Sequence, residues 1–375
     1  MNTNWKDHCI PDARTFKEKH VIVRVDWNMP VANGGITDTS RFDVSVPFLT
    51  HLHEVGAKLV LLTHFGEKGE SLEVVAQHVT RHLPFITFTK SFNTEELQQQ
   101  SKTLTPGNGI LLENVRLFKG ETENDDTLAQ VFASLGEVFI NDAFSVAHRK
   151  HASVVGIPNH LPAYFGPTFE RELDNLTKAL TPVKPAILIV GGAKISTKLT
   201  LIKQYLDQGV KVFVGGAMVH NIWKEKGLQI GKSLHDPDYR LPENFVNNPL
   251  LLTPIDVVLD GGETVDTTAI PAEGVVVDCG KKTTDMLEEL INVSNTVIAN
   301  GPLGLYEKGW LHGSERILTY LANANVTSYV GGGDTVTVAN SLHLLEKFTF
   351  VSLGGGAMLD FLASGTLPGI DAVTK

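Results

Sequence analysis

The sequence predicts an α/β protein with two doubly wound, Rossmann-like parallel-sheet domains joined by a hinge helix. Three observations support this: the length of 375 residues, a repeated alternation of strand-like and helix-like segments, and apolar runs that are continuous rather than alternating. Continuous apolar runs are typical of parallel strands that helices cover on both faces. At roughly 100–200 residues per domain, two domains are the natural number for this length.

The predicted strands are short apolar runs, too numerous for one comfortable open sheet, so two sheets fit better. They lie at 21–25, 59–62, 110–112, 138–140, 186–190, 212–214, 257–259, 275–277, 296–299, 328–330 and 349–353. Helical segments between them include 72–82, 127–135, 198–206 and 285–291. This alternation is the pattern of a doubly wound fold.

The domain boundary is predicted where the pattern changes, after a stretch at 161–167 that contains two prolines. We expect a first domain at residues 1–167 and a connecting hinge helix at 168–182. A second domain then covers residues 183–358, and a C-terminal segment at 359–375 packs back on the first domain.

Composition limits the classes of function. The chain is 42% hydrophobic and carries a net charge of −10, which argues against broad binding to nucleic acid or anionic membranes. The two cysteines, Cys9 and Cys279, are expected to be reduced cytosolic thiols. The N-terminus shows no signal peptide, and no apolar run is long enough to span a bilayer. We therefore expect a cytoplasmic protein.

Residues at and just after the ends of the predicted strands differ between the two halves, and ligands of such folds sit beyond the carboxyl ends of strands. The first half places Arg24, Asp26, His64 and Arg116 there, whereas the second half places glycine loops. Arginine forks suit a small, multiply anionic ligand. Glycine loops that open helices suit the phosphates of a nucleotide.

Each of these features also has a structural explanation. A single arginine is often a surface charge, and a glycine triplet is often a tight turn. Lys194 and Lys198, at i and i+4, are either solvated or share one helix face near an anion. Asp334 either holds a magnesium–nucleotide complex or caps a helix. His148 and His151 lack partners at a zinc-like spacing.

Several catalytic motifs are missing from the sequence. It contains no dinucleotide fingerprint, Walker A loop, GxSxG elbow or HExxH motif. A nicotinamide dehydrogenase is therefore disfavoured. The available chemistry uses cations and backbone groups rather than an activated nucleophile, and phosphoryl transfer has that character.

Seven motifs, in order along nearly the whole chain, resemble those of the phosphoglycerate kinase family. They are RVDWNMP at 24–30, ENVR at 113–116, NDAF at 141–144 with AHR at 147–149, GGAK at 191–194, NGPLG at 300–304, GGGDT at 331–335 and LPG at 367–369. The resemblance implies reversible transfer of the acyl phosphate of 1,3-bisphosphoglycerate to ADP, giving 3-phosphoglycerate and ATP. It also implies a monomer, hinge bending, and Mg²⁺ bound as Mg-ADP or Mg-ATP.

The resemblance assigns roles to individual residues. Those implied to be catalytic are Arg41, Lys194, Gly333 and Gly355. Those implied to bind the phosphoglycerate are Arg24, Asp26, Asn28, Arg41, His64, Arg116 and Arg149. Those implied to bind the nucleotide are Gly192, Lys194, Lys198, Gly215, Gly216, Glu307, Gly332, Gly333, Asp334 and Thr335, with Asp334 also binding the metal.

The chain departs from the family pattern in places. Glu67 and Lys68 stand where the family usually has arginine and proline, and Met358 stands where it commonly has serine. An acid in place of an arginine is expected to weaken binding of the 3-phosphate, with Lys68 as a compensating cation. Glu67 also motivates an alternative hypothesis, a catalytically weakened nucleotide-binding paralogue that serves as an interaction protein.

Overall fold

The computed structural model describes residues 4–67, 69–237 and 239–375, and the chain divides into two compact units. Unit 1 comprises the residues up to Asp174 together with Thr366–Lys375, and unit 2 comprises Asn175–Gly365. The division thus falls inside the helix predicted to connect the domains. The chain returns to unit 1 at Thr366, directly after the helix at Gly356–Ser364 has ended on Gly365 in a left-handed conformation.

The strands of the described residues follow in chain order. They are β1 (His20–Arg24), β2 (Val31–Ala32), β3 (Gly35–Ile36), β4 (Lys58–Leu62), β5 (Ile86–Phe88), β6 (Gly109–Leu111), β7 (Val138–Asn141), β8 (Ala163–Phe165), β9 (Ala186–Val190), β10 (Lys211–Val214), β11 (Leu251–Leu252), β12 (Asp256–Leu259), β13 (Thr264–Asp266), β14 (Val276–Cys279), β15 (Thr296–Asn300), β16 (Thr327–Gly331) and β17 (Phe350–Ser352).

The α-helices lie between these strands, as the alternation of the sequence predicts. They are α1 (Ser40–Asp43), α2 (Val46–Glu54), α3 (Glu73–His82), α4 (Thr94–Lys102), α5 (Asp126–Ala133), α6 (Pro167–Leu180), α7 (Leu199–Asp207), α8 (Val219–Glu225), α9 (Glu243–Val246), α10 (Lys281–Asn292), α11 (His312–Leu321), α12 (Gly333–Ser341), α13 (Gly356–Ser364) and α14 (Pro368–Val373).

Unit 1 is built on a six-stranded parallel sheet with the order β5-β6-β4-β1-β7-β8. Alternate residues of its central strands belong to two different core clusters, Val21 and Val23 to one and Ile22 to the other. Both faces of β1 are therefore buried, which is why its sequence is continuously apolar. The chain switches direction across the sheet beside β1, so the carboxyl ends of β1, β4 and β7 flank one crevice.

Unit 2 contains a second six-stranded parallel sheet, in the order β11-β10-β9-β15-β16-β17. Its switch point lies between β9 and β15, where Gly191 N donates to the Asn300 carbonyl at 2.9 Å. One part of the strand prediction is wrong. The runs at 257–259 and 275–277 lie in a separate sheet, β13-β12-β14, whose pairs are antiparallel. A short apolar run does not by itself reveal strand direction.

Helix α6 begins in unit 1 and ends in unit 2. Its first turn is capped by Asp142, which directly follows β7: Oδ1 accepts from Thr168 N at 2.7 Å and from Phe169 N at 3.2 Å. Burial raises the pKa of Asp142 to about 7. The connecting helix is thus tied to the sheet of unit 1 through a buried carboxyl group.

Candidate active site

The loop after β1 carries Asp26 and Asn28 at the switch point of unit 1. Asn28 Oδ1 accepts from Gly66 N at 2.9 Å, which joins this loop to the one that follows β4. The Asn28 backbone N–H donates to Asp26 Oδ1 at 3.2 Å. These bonds fix two polar side chains at one edge of the sheet.

Asp26 is paired with Arg41, which lies in α1. Arg41 Nη1 donates to Asp26 Oδ2 at 2.6 Å, and the Ser145 hydroxyl donates to the same oxygen. Burial alone would raise the pKa of Asp26, but Arg41 and the Ser145 hydrogen bond keep it below its usual value. The Arg41 side chain remains 32% exposed, so its guanidinium is open to a ligand.

Arg24, which is predicted to bind the phosphoglycerate, is buried among polar groups of unit 1. Its residue exposure is 1%, and its guanidinium donates to Ser153 Oγ at 3.0 Å and to the Val25 carbonyl at 2.6 Å. Its Nη2 lies 3.4 Å from His64 Nδ1. The side chain of an arginine at a strand end can point into the domain or toward solvent, and here acceptors inside unit 1 bind the guanidinium.

His64 is also buried, with 4% of the residue exposed. Burial and the neighbouring Arg24 charge lower the pKa of His64 well below its usual value, so the imidazole is neutral near pH 7. Its Nδ1 lies 4.0 Å from Asp26 Oδ1. Asp26 and His64, each predicted to bind the substrate, thus lie beside each other.

Arg116 and Arg149 extend this cationic site. Arg116 Nη1 donates to the Gly66 carbonyl. Burial and the Arg149 charge lower the pKa of Arg116, whereas the carboxylate of Glu67 acts in the opposite direction. Glu67 therefore lies within electrostatic reach of the arginines. Lys68, the neighbour predicted to compensate for it, lies outside the described residues.

In unit 2, Lys198 lies at the centre of the glycine loops. Its Nζ donates to the Gly191 carbonyl at 2.6 Å and to Asn300 Oδ1 at 3.1 Å. Burial lowers the pKa of Lys198 to about 8, partly offset by the charge of Asp334. Lys198 is thus held in place by acceptors of two neighbouring loops.

The expectation that Lys194 and Lys198 share one helix face is wrong. Residues Ile195–Thr197 form a 3₁₀ turn, closed by a bond from Lys198 N to the Ile195 carbonyl, and α7 begins only at Leu199. The Thr197 hydroxyl donates to the Lys194 carbonyl at 2.8 Å, which favours the tighter turn. Lys194 is exposed, whereas Lys198 is half-buried.

The glycine loops approach one another too closely for side chains. A Cβ on Gly216 would lie 2.6 Å from Gly192 N, and one on Gly215 would lie 2.8 Å from Leu303 Cδ2. Gly332 has a φ of +94° directly before α12, a conformation that favours glycine. A Cβ on Gly333 or Gly355, at the starts of α12 and α13, would have no neighbour within 4 Å beyond the adjoining backbone, so both glycines face open space.

The polar residues around α12 have different environments. Asp334 lies exposed in its first turn, and the helix cap is Gly332, so the capping explanation of Asp334 does not apply. Thr335 is buried and its hydroxyl accepts from Gly301 N at 2.8 Å, which ties two loops together. Glu307 is exposed in a 3₁₀ turn at Tyr306–Lys308, after β15.

Some residues of these sites were missed in the sequence. Ser145 binds Asp26, Ser153 binds Arg24, and Glu121 in turn binds Ser153, yet no local pattern marks these three residues. Asn300, which accepts from Lys198, lies in one of the recognised motifs and could have been named. A serine or glutamate that acts through another residue becomes visible only when distant segments are folded together.

Comparison with known proteins decides the family. The family model described as phosphoglycerate kinase matches residues 10–365. The chain belongs to the phosphoglycerate kinase family. It is therefore a phosphotransferase that moves phosphate to or from a carboxyl group. The kinase and fold-class predictions are confirmed, and neither the weakened paralogue nor the dehydrogenase is supported.

Individual relatives cover nearly the full chain. Phosphoglycerate kinases from Sinorhizobium medicae and Maricaulis maris are 36% and 38% identical, covering 98% and 95% of this chain and 98% and 94% of their own. Among solved structures, the phosphoglycerate kinase from Coxiella burnetii has a TM-score of 0.81 at 31% identity, covering 96% of this chain and 97% of its own. The enzyme from Pyrococcus horikoshii has a TM-score of 0.82 at 26% identity and covers 96% of each chain.

Among the described residues, no helix is both long enough and apolar enough to cross a membrane.

Proposed function

We propose that unit 1 binds 3-phosphoglycerate or 1,3-bisphosphoglycerate, that unit 2 binds ADP or ATP, and that the acyl phosphate passes reversibly between them. The observation that carries this assignment is the contrast between the units. The crevice of unit 1 holds Arg41, Arg116 and Arg149, whereas unit 2 offers glycine loops around Lys198. Clustered guanidinium groups suit a small polyanion, and close-packed backbone loops suit nucleotide phosphates.

On the phosphoglycerate side, each residue has a role that its chemistry supports. Asp26 and Asn28 bind the hydroxyl and carboxyl region of the glycerate. His64, Arg116 and Arg149 bind the 3-phosphate, and Arg41 reaches the transferring phosphoryl group. Arg24 acts from beneath the site through His64, because its guanidinium is already bonded inside the protein.

On the nucleotide side, Lys194 neutralises the transferring phosphoryl group and Lys198 binds nucleotide phosphate. Backbone N–H groups of Gly332, Gly333 and Gly355 donate to phosphate oxygens. Glu307 binds the ribose hydroxyls, and Gly192, Gly215 and Gly216 line the adenine pocket. Thr335 supports this site because its hydroxyl accepts from Gly301 N at 2.8 Å, which fixes the loop at Gly301.

Asp334 fits the role of a magnesium ligand. It is an exposed carboxylate in the first turn of α12, close enough to Lys198 to shift its pKa. Mg²⁺ is commonly held by one or two carboxylates together with substrate phosphates. When bound, the ion neutralises charge on the nucleotide phosphates.

The reaction needs no general base. The β-phosphate of ADP and the carboxylate of 3-phosphoglycerate are both ionised near pH 7, so each attacks without losing a proton. The remaining obstacle is repulsion between anions, which Arg41 and Lys194 reduce. Positioning and charge neutralisation therefore supply the catalysis.

We further propose that α6 acts as a hinge and that binding of both substrates closes the enzyme. Closure excludes water, which would otherwise hydrolyse the acyl phosphate. Small-angle scattering tests this: the radius of gyration should fall when both ligands are added together. An unchanged value with both sites saturated contradicts closure.

A monomeric state and a cytoplasmic location complete the proposal. Cys9 and Cys279 are free thiols, which is typical of a reducing compartment. The partners are the small-molecule substrates alone, without nucleic acid or membrane. Sedimentation equilibrium at several concentrations tests the monomer, since a mass above 40.8 kDa would contradict it.

A coupled assay tests the activity itself. ATP and 3-phosphoglycerate should be consumed together, with Mg²⁺ required, and chelation should abolish turnover. Background turnover while calorimetry shows intact ADP binding would contradict the proposed function.

A further inference from the structure

A buried chain of hydrogen bonds runs beneath the site of unit 1 and ends at His64. Ser153, in a π-helical turn at Ala152–Gly156, donates from its hydroxyl to Glu121 Oε1 at 2.6 Å and from its N–H to Oε2 at 2.9 Å. The same hydroxyl accepts from Arg24 Nε at 3.0 Å. Arg24 Nη2 then reaches His64 Nδ1 at 3.4 Å.

All four side chains of this chain of contacts are removed from solvent. The exposed fraction of the residue is 0% for Ser153, 1% for Arg24, 1% for Glu121 and 4% for His64. A buried guanidinium requires acceptors and a buried carboxylate requires donors. Ser153 satisfies both at once, because one hydroxyl accepts from the arginine and donates to the glutamate.

The hydrogen-bonding chemistry of arginine determines which ring nitrogen of His64 carries the proton. A guanidinium has five N–H donors and no acceptor, so a ring nitrogen that faces it can only accept. Nδ1 of His64 therefore carries a lone pair, and in a neutral imidazole the proton then resides on Nε2.

We propose that Glu121 and Ser153 are positioning residues that act through Arg24 to hold His64 as its Nε2–H tautomer, a ready donor to an oxygen of the bound phosphoglycerate. The substrate half of this inference rests on the proposed function, whereas the tautomer does not. The arrangement parallels the way outer partners fix the tautomer of metal-bound histidines.

Other charged groups also face this chain of contacts. His151 Nδ1 lies 3.7 Å from Glu121 Oε1, and burial lowers the pKa of His151 to about 4, so it adds no charge near pH 7. The positive charges of Arg116 and Arg149 repel the Arg24 guanidinium. Asp26 Oδ1 lies 4.0 Å from His64 Nδ1. Asp26 is the competing partner, because it favours a proton on Nδ1.

The test is ¹⁵N NMR of histidine in the ligand-free, full-length protein, with the His64 signal identified by its loss in His64→Gln. The wild type should show Nδ1 unprotonated and Nε2 protonated at pH 7. Ser153→Ala removes the acceptor of Arg24 Nε, so His64 should shift toward the Nδ1–H tautomer that faces Asp26. Glu121→Gln, which keeps the shape of the side chain, should shift it in the same direction.

Ser101→Ala is the matched control. Ser101 is likewise a buried serine of unit 1, and its hydroxyl donates to the Leu135 carbonyl at 2.7 Å, in contact with none of these side chains. This variant should lose stability yet leave the His64 tautomer unchanged. In the coupled assay, Ser153→Ala should raise KM for 3-phosphoglycerate roughly tenfold, as expected for one lost bond to a charged group, and leave KM for ATP unchanged.

Two results would overturn the inference: Nδ1–H or imidazolium in the wild type at pH 7, or an unchanged tautomer in both Ser153→Ala and Glu121→Gln. Absence of kinase turnover together with the expected tautomers would instead refute the proposed function alone.

Discussion

Arg41 Nη1 lies 2.6 Å from Asp26 Oδ2, so two residues assigned to different parts of the substrate are bound to each other. The pair holds a guanidinium at the mouth of the crevice and satisfies a mostly buried carboxylate. A phosphoryl oxygen that replaces the carboxylate would meet a cation already in place. Such preorganisation is the usual source of transition-state stabilisation.

Arg41→Ala should lower turnover by roughly 100-fold or more, because a cation aimed at developing charge is lost. ADP affinity, measured by calorimetry, should stay within about twofold, since the nucleotide is assigned to unit 2. Arg14→Ala is the control, because Arg14 is exposed and paired with Asp12. Wild-type turnover in Arg41→Ala would remove Arg41 from the mechanism.

Nucleotide affinity should fall as pH rises through about 8, where Lys198 loses its proton. The ammonium form attracts phosphate and the neutral amine does not, so affinity is greatest below that pH. Calorimetry with ADP from pH 6.5 to 9.5 measures this. Lys198→Met should bind ADP more weakly and show a flatter profile over the same range. An equally steep decline in that variant would assign the titration to another group.

Glu67→Arg should lower KM for 3-phosphoglycerate several-fold, because it replaces an anion near Arg116 with a cation. Glu67→Gln should give an intermediate value, since it removes the charge without reversing it. The effect should shrink as ionic strength rises. A higher KM in Glu67→Arg would show that the acid serves binding rather than weakens it.

Asp142 should make stability depend on pH. Its folded-state pKa of about 7 lies above the ordinary value of 3.8, so the stabilisation from holding its proton is present below about pH 4 and is lost as pH rises to 7. Asp142→Asn keeps the Oδ1 acceptor for α6 and carries no charge. The free energy of unfolding of Asp142→Asn, measured with urea and compared with that of the wild type, should therefore rise by on the order of 2 kcal/mol between pH 4.5 and pH 8. Asp207→Asn, which changes an exposed carboxylate, is the control and should not show this rise in the free energy of unfolding. If Asp142→Asn does not show it either, the role of the Asp142 carboxyl group is contradicted.

Much of the fold was predictable because burial on both faces of β1 leaves a continuous apolar run. The direction of β12 and β14 was not, since pairing depends on which strands meet in space. The same limit applies to side chains. Asp26 was identified from a motif and Arg41 from the family resemblance, whereas the inward orientation of Arg24 depends on Ser153, which is far away in sequence and has no local pattern of its own.

A crystal structure with 3-phosphoglycerate and ADP bound together would test the division of labour between the units most directly. We expect the phosphoglycerate against Asp26 and Arg116 in unit 1, and the ADP phosphates along the glycine loops beside Lys198 in unit 2. Both ligands in one unit, or glycine loops without phosphate, would contradict the proposal.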